Sequence, residues 1–403
     1  MGHLPSPPSV PPSESSGTSC RARRMTRGVT AVLVLVLGLA TASSPGVGAA
    51  AGPEGCTVQA AAGQSIQAAI DGAQPGATVC VGPGTYRENL LVAKDGITLR
   101  GAGPGATVLE PPAQPIPVCL QLFVPPVDLE AVGLNGICVA NVDAGGNRVA
   151  TVSDVRVTGF TVRGFPGVGI VFAYTDRPRA DHNAAAHNGE YGITAFASTN
   201  GRFEDNTTHG SGDAGIYLGS SPDANFAIAR NTASAALWGI LVRDSSTGTV
   251  TGNTVRGNCS GLVFLNTGTG TGVRDWVATG NAATANDELC PATELPFTLT
   301  GLGILIAGGN HIVLQDNAVH ANRPSGSPGV VGGVALAGGI VVVSTESVSV
   351  FGPPYYGSAA SDNRIVGNTA TGNRPFDLAY DGLGTGNRFL ANRCRTSQPA
   401  GLC

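Results

Sequence analysis

Hydrophobic residues in this chain recur at two positions of a short frame and are not gathered into long runs. Eight segments end on asparagine: "RADHN" at Asn183, "RFEDN" at Asn206, "AIARN" at Asn231, "TVTGN" at Asn253, "VATGN" at Asn281, "VLQDN" at Asn317, "RIVGN" at Asn368 and "RFLAN" at Asn392. Three residues before each asparagine stands Ala180, Phe203, Ile228, Val250, Ala278, Leu314, Ile365 or Phe389, with mostly polar or small neighbours. Such alternation is the period-two signature of a short strand buried on one face.

A second apolar anchor, preceded by glycine, occurs at Ile170, Ile193, Ile216, Ile240, Leu262, Ile304 and Ile340. Its first four intervals are 23, 23, 24 and 22 residues, and no helical period lies between the anchors. A unit this short cannot bury its own apolar face, so it must stack on copies of itself. The pattern predicts an all-β parallel solenoid with one coil per repeat. The longer intervals of 42 and 36 residues hold "ANDELCPATELPFTLT" and "RPSGSPGVVGGVALAGG", which are expected to be insertions on the outside. The asparagines are expected to adopt left-handed turns and to hydrogen-bond from coil to coil, and the glycines to make tight corners.

Upstream, "GQSIQAAIDGA" offers Ser65 as the N-cap of a short helix with Ile66, Ala69 and Ile70 on one face. Such a helix would cover the open end of the solenoid, where core and strand edges are otherwise exposed. The Pro-rich stretch from Pro104 to Pro126 is expected to loop outside the first coils. The expected organisation is then an extension over 1–50 and a β domain over 51–403. Within that domain, 51–103 is cap and first coils, 104–150 a loop-rich insertion, and 151–403 the repeat coils.

Composition agrees, with 59 glycines and only 12% charged residues in 403. The net charge of −4 is scattered, which leaves no electrostatic footprint for nucleic acid or anionic lipid. Lys94 is the one lysine. Arg21, Arg23, Arg24 and Arg27 precede "GVTAVLVLVLGLA" and "TASSPGVGAAAG", the charged, apolar, small-residue order of a secretory signal, with Met25 as a possible start and cleavage near Ala49 to Ala51. The apolar run falls short of the roughly 20 residues that span a bilayer. An extracellular monomer without a membrane span is expected. Loss of Cys20 leaves eight cysteines, which pair most simply as Cys56–Cys80, Cys119–Cys138, Cys259–Cys290 and Cys394–Cys403, although spacing leaves the connectivity open. No C-x-x-C spacing points to zinc, and no metal site is expected.

"PGATVCVGPGTYRENLLVAKDGITLRGAG", joined to the "GN…GI" coils, resembles the superfamily of pectate lyases, pectin methylesterases, polygalacturonases, alginate epimerases and NosD-like proteins. The resemblance covers Cys56 to Cys403. It implies a single-stranded right-handed parallel β-helix with a short N-terminal capping helix. "GTYRE" at Gly84 to Glu88 is similar to the opening of pectin methylesterases, without their later signatures. The chain carries neither a polygalacturonase Gly-His-Gly nor an epimerase Asp-Pro-His-Asp, and Asp181-His182-Asn183 is a distant echo of the latter. Lyase, hydrolase and epimerase chemistry all stay open, as does whether the chain is an enzyme. Calcium enters only for a lyase, and no other cofactor is implied. The NosD-like resemblance also implies copper handling, with five histidines and the carboxylates as available ligands.

The frame places candidate chemistry on two coils. Arg179 and Arg202 share one outward position, Asp181 and Glu204 the next, and His182 is set beside Asp205 at the strand spacing of about 4.8 Å. His187 and His209 follow on a neighbouring turn. The expected catalytic residues are His182, Asp205, His209 and Asp181, with Asp205 or Asp181 as base and His182 or His209 as acid. Arg179, Arg202, Glu204, Tyr191 and Tyr217 are the expected substrate contacts, the arginines holding a uronate carboxylate and the tyrosines stacking on sugar. The bland alternative is an exposed ladder of charges that neutralises itself, worth about 0–1 kcal/mol per pair. Arg364 and Arg388, in the same frame position without such acids, favour that alternative. The expected function is to bind or process a polysaccharide or cell-wall glycan. The alternatives are a non-catalytic carbohydrate-binding or structural role and, behind it, copper delivery.

Overall fold

A computed structural model describes residues 55–117, 120–124, 127–290, 298–349 and 353–403. The expected secretory segment and Cys119 lie outside the described residues. Successive strands of the chain are dealt in turn to three parallel sheets of twelve, ten and eleven strands. One coil runs Arg179–Asp181 in the first sheet, Ala184–Ala186 in the second and Ile193–Phe196 in the third, then returns to Arg202–Glu204 in the first. The same order repeats as far as Leu378–Tyr380, and the last turn of the chain has Arg388–Leu390 in the first sheet and Ser397–Gln398 in the third.

Stacking in register turns the sequence frame into columns. Ile170, Ile193, Ile216, Ile240, Leu262, Ile304 and Ile340 are coil-to-coil partners on the third sheet. Val157, Ala180, Phe203, Ile228 and Val250 form the corresponding column of the first. Both columns are fully or almost fully buried and belong to one continuous core. The glycine before each third-sheet anchor answers to steric closeness. A Cβ on Gly261 would sit 2.3 Å from the Gly303 carbonyl oxygen, so a side chain there would force the coils apart.

The predicted asparagine ladder is present. Asn253 Oδ1 accepts from Asn231 N and Nδ2, at 2.9 and 3.0 Å, while its own Nδ2 donates to Ile228 O and Asn281 Oδ1. The left-handed conformation, however, falls on the residue before each asparagine. His182, Asp205, Arg230, Gly252, Gly280, Asp316, Gly367 and Ala391 have φ between 53° and 67°. Five residues on, a second ladder joins Asn258, Asn286, Asn322 and Asn373.

The capping helix spans Ile66–Gly72, with the Ser65 hydroxyl accepting from Ala68 N and with Ile66 and Ile70 buried. Both helix ends are closed by distant side chains. Glu88, from the "GTYRE" stretch, accepts from Ile66 N, Gln67 N and Ser65 Oγ. Lys94 donates its ammonium hydrogens to Ile70 O, Asp71 O and Ala73 O. The one lysine of the chain is a helix cap, placed where a cation meets the negative end of the helix.

The stretch 104–150 departs from the expected loop-rich insertion. Thr107–Glu110 joins the second sheet beside Thr161–Arg163, and Ile137–Val139 joins the third beside Ile170–Ala173. Only an antiparallel hairpin, Gln121–Val124 with Val127–Val132, and the small Asn141–Val142/Arg148–Ala150 pair stand apart from the coils. Disulfides join Cys56–Cys80, Cys259–Cys290 and Cys394–Cys403, three of the expected pairs. No helix among the described residues is long and apolar enough to cross a membrane.

Candidate functional site

On the first sheet the residues between core positions point outward, and register alone stacks their chemistry. Arg156, Arg179 and Arg202 are successive partners, and beside them Thr158, Asp181 and Glu204 form a second column. The next residue of each coil is the left-handed corner. There His182 donates its backbone N–H to Glu204 O and Asp205 donates to Ala229 O, so both side chains project from the same edge. The result is a cleft of about 210 Å³ lined by Arg156, Arg179, Asp181, His182, Arg202, Glu204 and Asp205.

Asp181 is the most committed group in it. Arg156 donates from Nε and Nη2 at 2.6 Å each, the Thr158 hydroxyl donates at 2.9 Å, and His182 Nδ1 lies 3.0 Å away. Burial pushes this carboxyl up, but hydrogen bonds from Arg156, His182 and Thr158 outweigh it and hold the carboxyl below its ordinary range. Asp205 is also held low, first by its hydrogen bonds from Arg230 at 2.9 and 2.8 Å, and further by the charges of Arg230 and His182. Arg230 reaches Glu204 as well, at 3.4 Å, and Arg202 lies 3.6 Å from the same carboxylate.

Arg179 is different. Its guanidinium makes no hydrogen bond or ion pair among the described residues, and its charge is felt only at a distance by Asp154. Three guanidiniums and three carboxylates line the cleft, and Arg230, from outside the lining, takes up Asp205 and Glu204, so that Arg179 is the guanidinium left without a carboxylate. His182 donates from Nδ1 to Asp181, an arrangement that leaves the Nε2 lone pair available.

The expected residues thus divide. His182, Asp205, Asp181, Arg179, Arg202 and Glu204 come together. His209 does not, because it ends the second-sheet strand Thr207–His209 and pairs with His187. Tyr191 and Tyr217 lie 4.7 Å apart in a buried aromatic group with Phe196, on the outer side of the third sheet and away from the cleft. Arg156, Thr158 and Arg230 are absent from the expected set. Arg230 stands in the frame position of His182 and Asp205, immediately before Asn231, and is legible there. Arg156 is concealed because its coil has Phe160 where the frame asparagine would be.

No group of three or more histidine, cysteine or acidic residues is placed to hold a metal ion among the described residues. Each carboxylate of the cleft is already within reach of a guanidinium, so these residues do not fit a calcium ion, and no chemistry is routed through one.

The family model described as "Right handed beta helix region" matches residues 127–276. The chain folds as a right-handed parallel β-helix. Among solved structures, this β-helix is similar to the A-modules of two mannuronan C-5 epimerases of Azotobacter vinelandii. With AlgE6 it shares 18% identity at a TM-score of 0.51, over 82% of this chain and 92% of that one. With AlgE4 the values are 17% and 0.51, over 83% and 91%. The catalytic unit of a GH87 α-1,3-glucanase from Streptomyces thermodiastaticus matches at 16% identity and a TM-score of 0.51, over 87% of this chain and 71% of that one. At such identities the likeness is one of fold. A search of curated proteins finds no match.

Proposed function

We propose that this β-helix is a secreted protein that binds an acidic polysaccharide in the first-sheet cleft and processes it there by proton transfer. The observation that carries the reading is Arg179, an exposed guanidinium of the cleft lining without a carboxylate partner among the described residues. A uronate carboxylate is the planar, bidentate partner that such a group takes. The solved structures named above are polysaccharide-acting by name, which supports a glycan substrate. Three disulfides favour an oxidising, extracellular compartment.

Both aspartates are occupied by arginine, so the proposed proton-transfer group is His182. Asp181, clamped by Arg156, fixes the imidazole with Nε2 outermost. With a uronate carboxylate on Arg179, the α C–H of the sugar becomes acidic, because charge developing on the carboxyl group is met by a guanidinium. His182 takes that proton. The resulting carbanion either expels the 4-O substituent, which takes its proton from the His182 imidazolium or from water and leaves an unsaturated uronate, or is reprotonated by water from the opposite face with His182 losing its proton to solvent.

A non-catalytic, glycan-binding reading is favoured by one observation, that no carboxylate of the cleft is free to act as base or acid. The deciding experiment incubates the purified protein with polyuronates and neutral glucans, following unsaturated-uronate absorbance, reducing ends and sugar configuration by NMR. Turnover of a polyuronate that is lost in His182→Ala supports processing. Binding without turnover establishes the second reading, and failure to bind any polyuronate removes both.

A further inference from the structure

His187 and His209 stand outside the cleft, at the far edge of the second sheet. Ala186 and His209 are coil-to-coil partners, and His187 N donates to His209 O at 2.8 Å. Their imidazoles are exposed, nearly perpendicular at 87°, with centroids 5.1 Å apart. Gly210 makes the approach possible. It holds the left-handed corner of its coil at φ +68°, and a Cβ there would come within 2.6 Å of His187 Nδ1.

One ring is also oriented. The Ser234 hydroxyl donates to Thr208 O at 3.4 Å, so its oxygen is left to accept from His209 Nδ1 at 3.1 Å. In the Nδ1–H tautomer, which this contact accommodates, the Nε2 lone pair of His209 is left unused. A hydroxyl or carbonyl behind the distal nitrogen is the usual support of a metal-binding histidine. Among the described residues, His187 has no side-chain hydrogen bond at either nitrogen.

We propose that His187 and His209 form a two-imidazole site for a first-row divalent transition ion of the nickel, copper and zinc group, completed by water. A metal about 2.1 Å from one nitrogen of each ring, at a tetrahedral angle, sets the ring centroids about 5.4 Å apart, allowing a ring radius of about 1.2 Å. The observed centroid separation of 5.1 Å is close to that value. Imidazole nitrogen selects these ions over calcium and magnesium, which take oxygen ligands. No third histidine, cysteine or acidic residue is grouped with the pair among the described residues, so the remaining positions fall to solvent and the site is open.

His320 supplies an internal control. It lies in the same second-sheet column as His209 and has its own hydroxyl support, Thr371 at 2.9 Å from Nδ1, but no histidine neighbour.

The test is equilibrium dialysis of the untagged chain against nickel and zinc salts, with calcium and magnesium alongside. One transition ion per chain is expected, bound at least about tenfold more weakly in His187→Asn, a residue suited to that left-handed corner, and in His209→Ala. Ser234→Ala should weaken binding about tenfold through loss of orientation, and His320→Ala should leave it unchanged. Absence of saturable binding, or wild-type affinity in either pair variant, overturns the site. A second arm needs no variant: substoichiometric nickel should broaden the imidazole NMR signals of His187 and His209 before those of His182, His311 and His320. Broadening that begins at His182 or His320 contradicts the proposal.

Discussion

Two polar columns run along this β-helix a few residues apart, and they differ in what surrounds them. The asparagine column from Asn183 to Asn392 lies inside a corner, with every member at most 8% exposed. Each inner amide accepts from the preceding coil and donates both to that coil's strand and to the next asparagine. The column of Arg156, Arg179 and Arg202 lies on the outer face of the first sheet, where Arg156 is 42% and Arg202 57% exposed and pairing is partial. Same register and same repeat produce a structural element in one place and an accessible, partly paired charged surface in the other. Buried, an unmade hydrogen bond costs the desolvation of both partners. In water, a guanidinium loses little by standing alone and is available to a ligand.

The sharpest way to break this contrast is to remove one member of each column. Asn253→Ala strips partners from Asn231 N, Asn231 Nδ2, Ile228 O and Asn281 Oδ1, and should cost about 3–5 kcal/mol in urea unfolding. Lys94→Met uncaps three carbonyls at the end of the helix and should cost about 1–2 kcal/mol, read in the same experiment. Arg156→Ala, which frees a partly exposed pair, should cost about 1 kcal/mol. Arg179→Ala should stay within about 0.5 kcal/mol of wild type, since its guanidinium is exposed and makes no hydrogen bond or ion pair among the described residues.

The pH dependence sharpens the comparison further. Asp181 has a folded-state pKa below its ordinary value, so its contribution is present above the unfolded aspartate pKa of about 3.9 and is lost as pH falls through the lower folded value. The stability gap between wild type and Arg156→Ala should therefore be open near pH 6 and close in strong acid. A gap that persists unchanged in strong acid would show that Arg156 acts through packing and not through the Asp181 charge.

Much of the fold was legible because in-register stacking makes one coil the template of the next. The cap helix, the core columns and the first asparagine ladder follow from the frame directly. Where the frame is interrupted, legibility fails for the same reason. Phe160 in place of asparagine concealed Arg156, and the prolines after Pro104 drew attention away from Thr107–Glu110 and Ile137–Val139. Ser211 and Ala236 fall between Asn188 and Asn258 and hide the second ladder. Tyr217 fails differently. Alternation correctly turns it outward from the core, but the outer face of the third sheet is itself buried, packed with Phe196, Leu241 and Val263, so outward there does not mean exposed. The left-handed corner accounts for glycine and aspartate before the frame asparagines, since these tolerate positive φ. Histidine tolerates the same corner at 182, and its hydrogen bond to Asp181 gives it a place in the cleft.

The most direct test of the account measures polyuronate affinity and unfolding free energy together, in wild type, Arg179→Ala and Asn253→Ala. The account predicts that Arg179→Ala loses at least about tenfold in affinity for a polyuronate at unchanged stability, has no effect on a neutral glucan, and that Asn253→Ala loses stability while its folded fraction binds normally. Equal polyuronate affinity in wild type and Arg179→Ala would contradict it, and would mean that the cleft is a self-neutralised ladder after all.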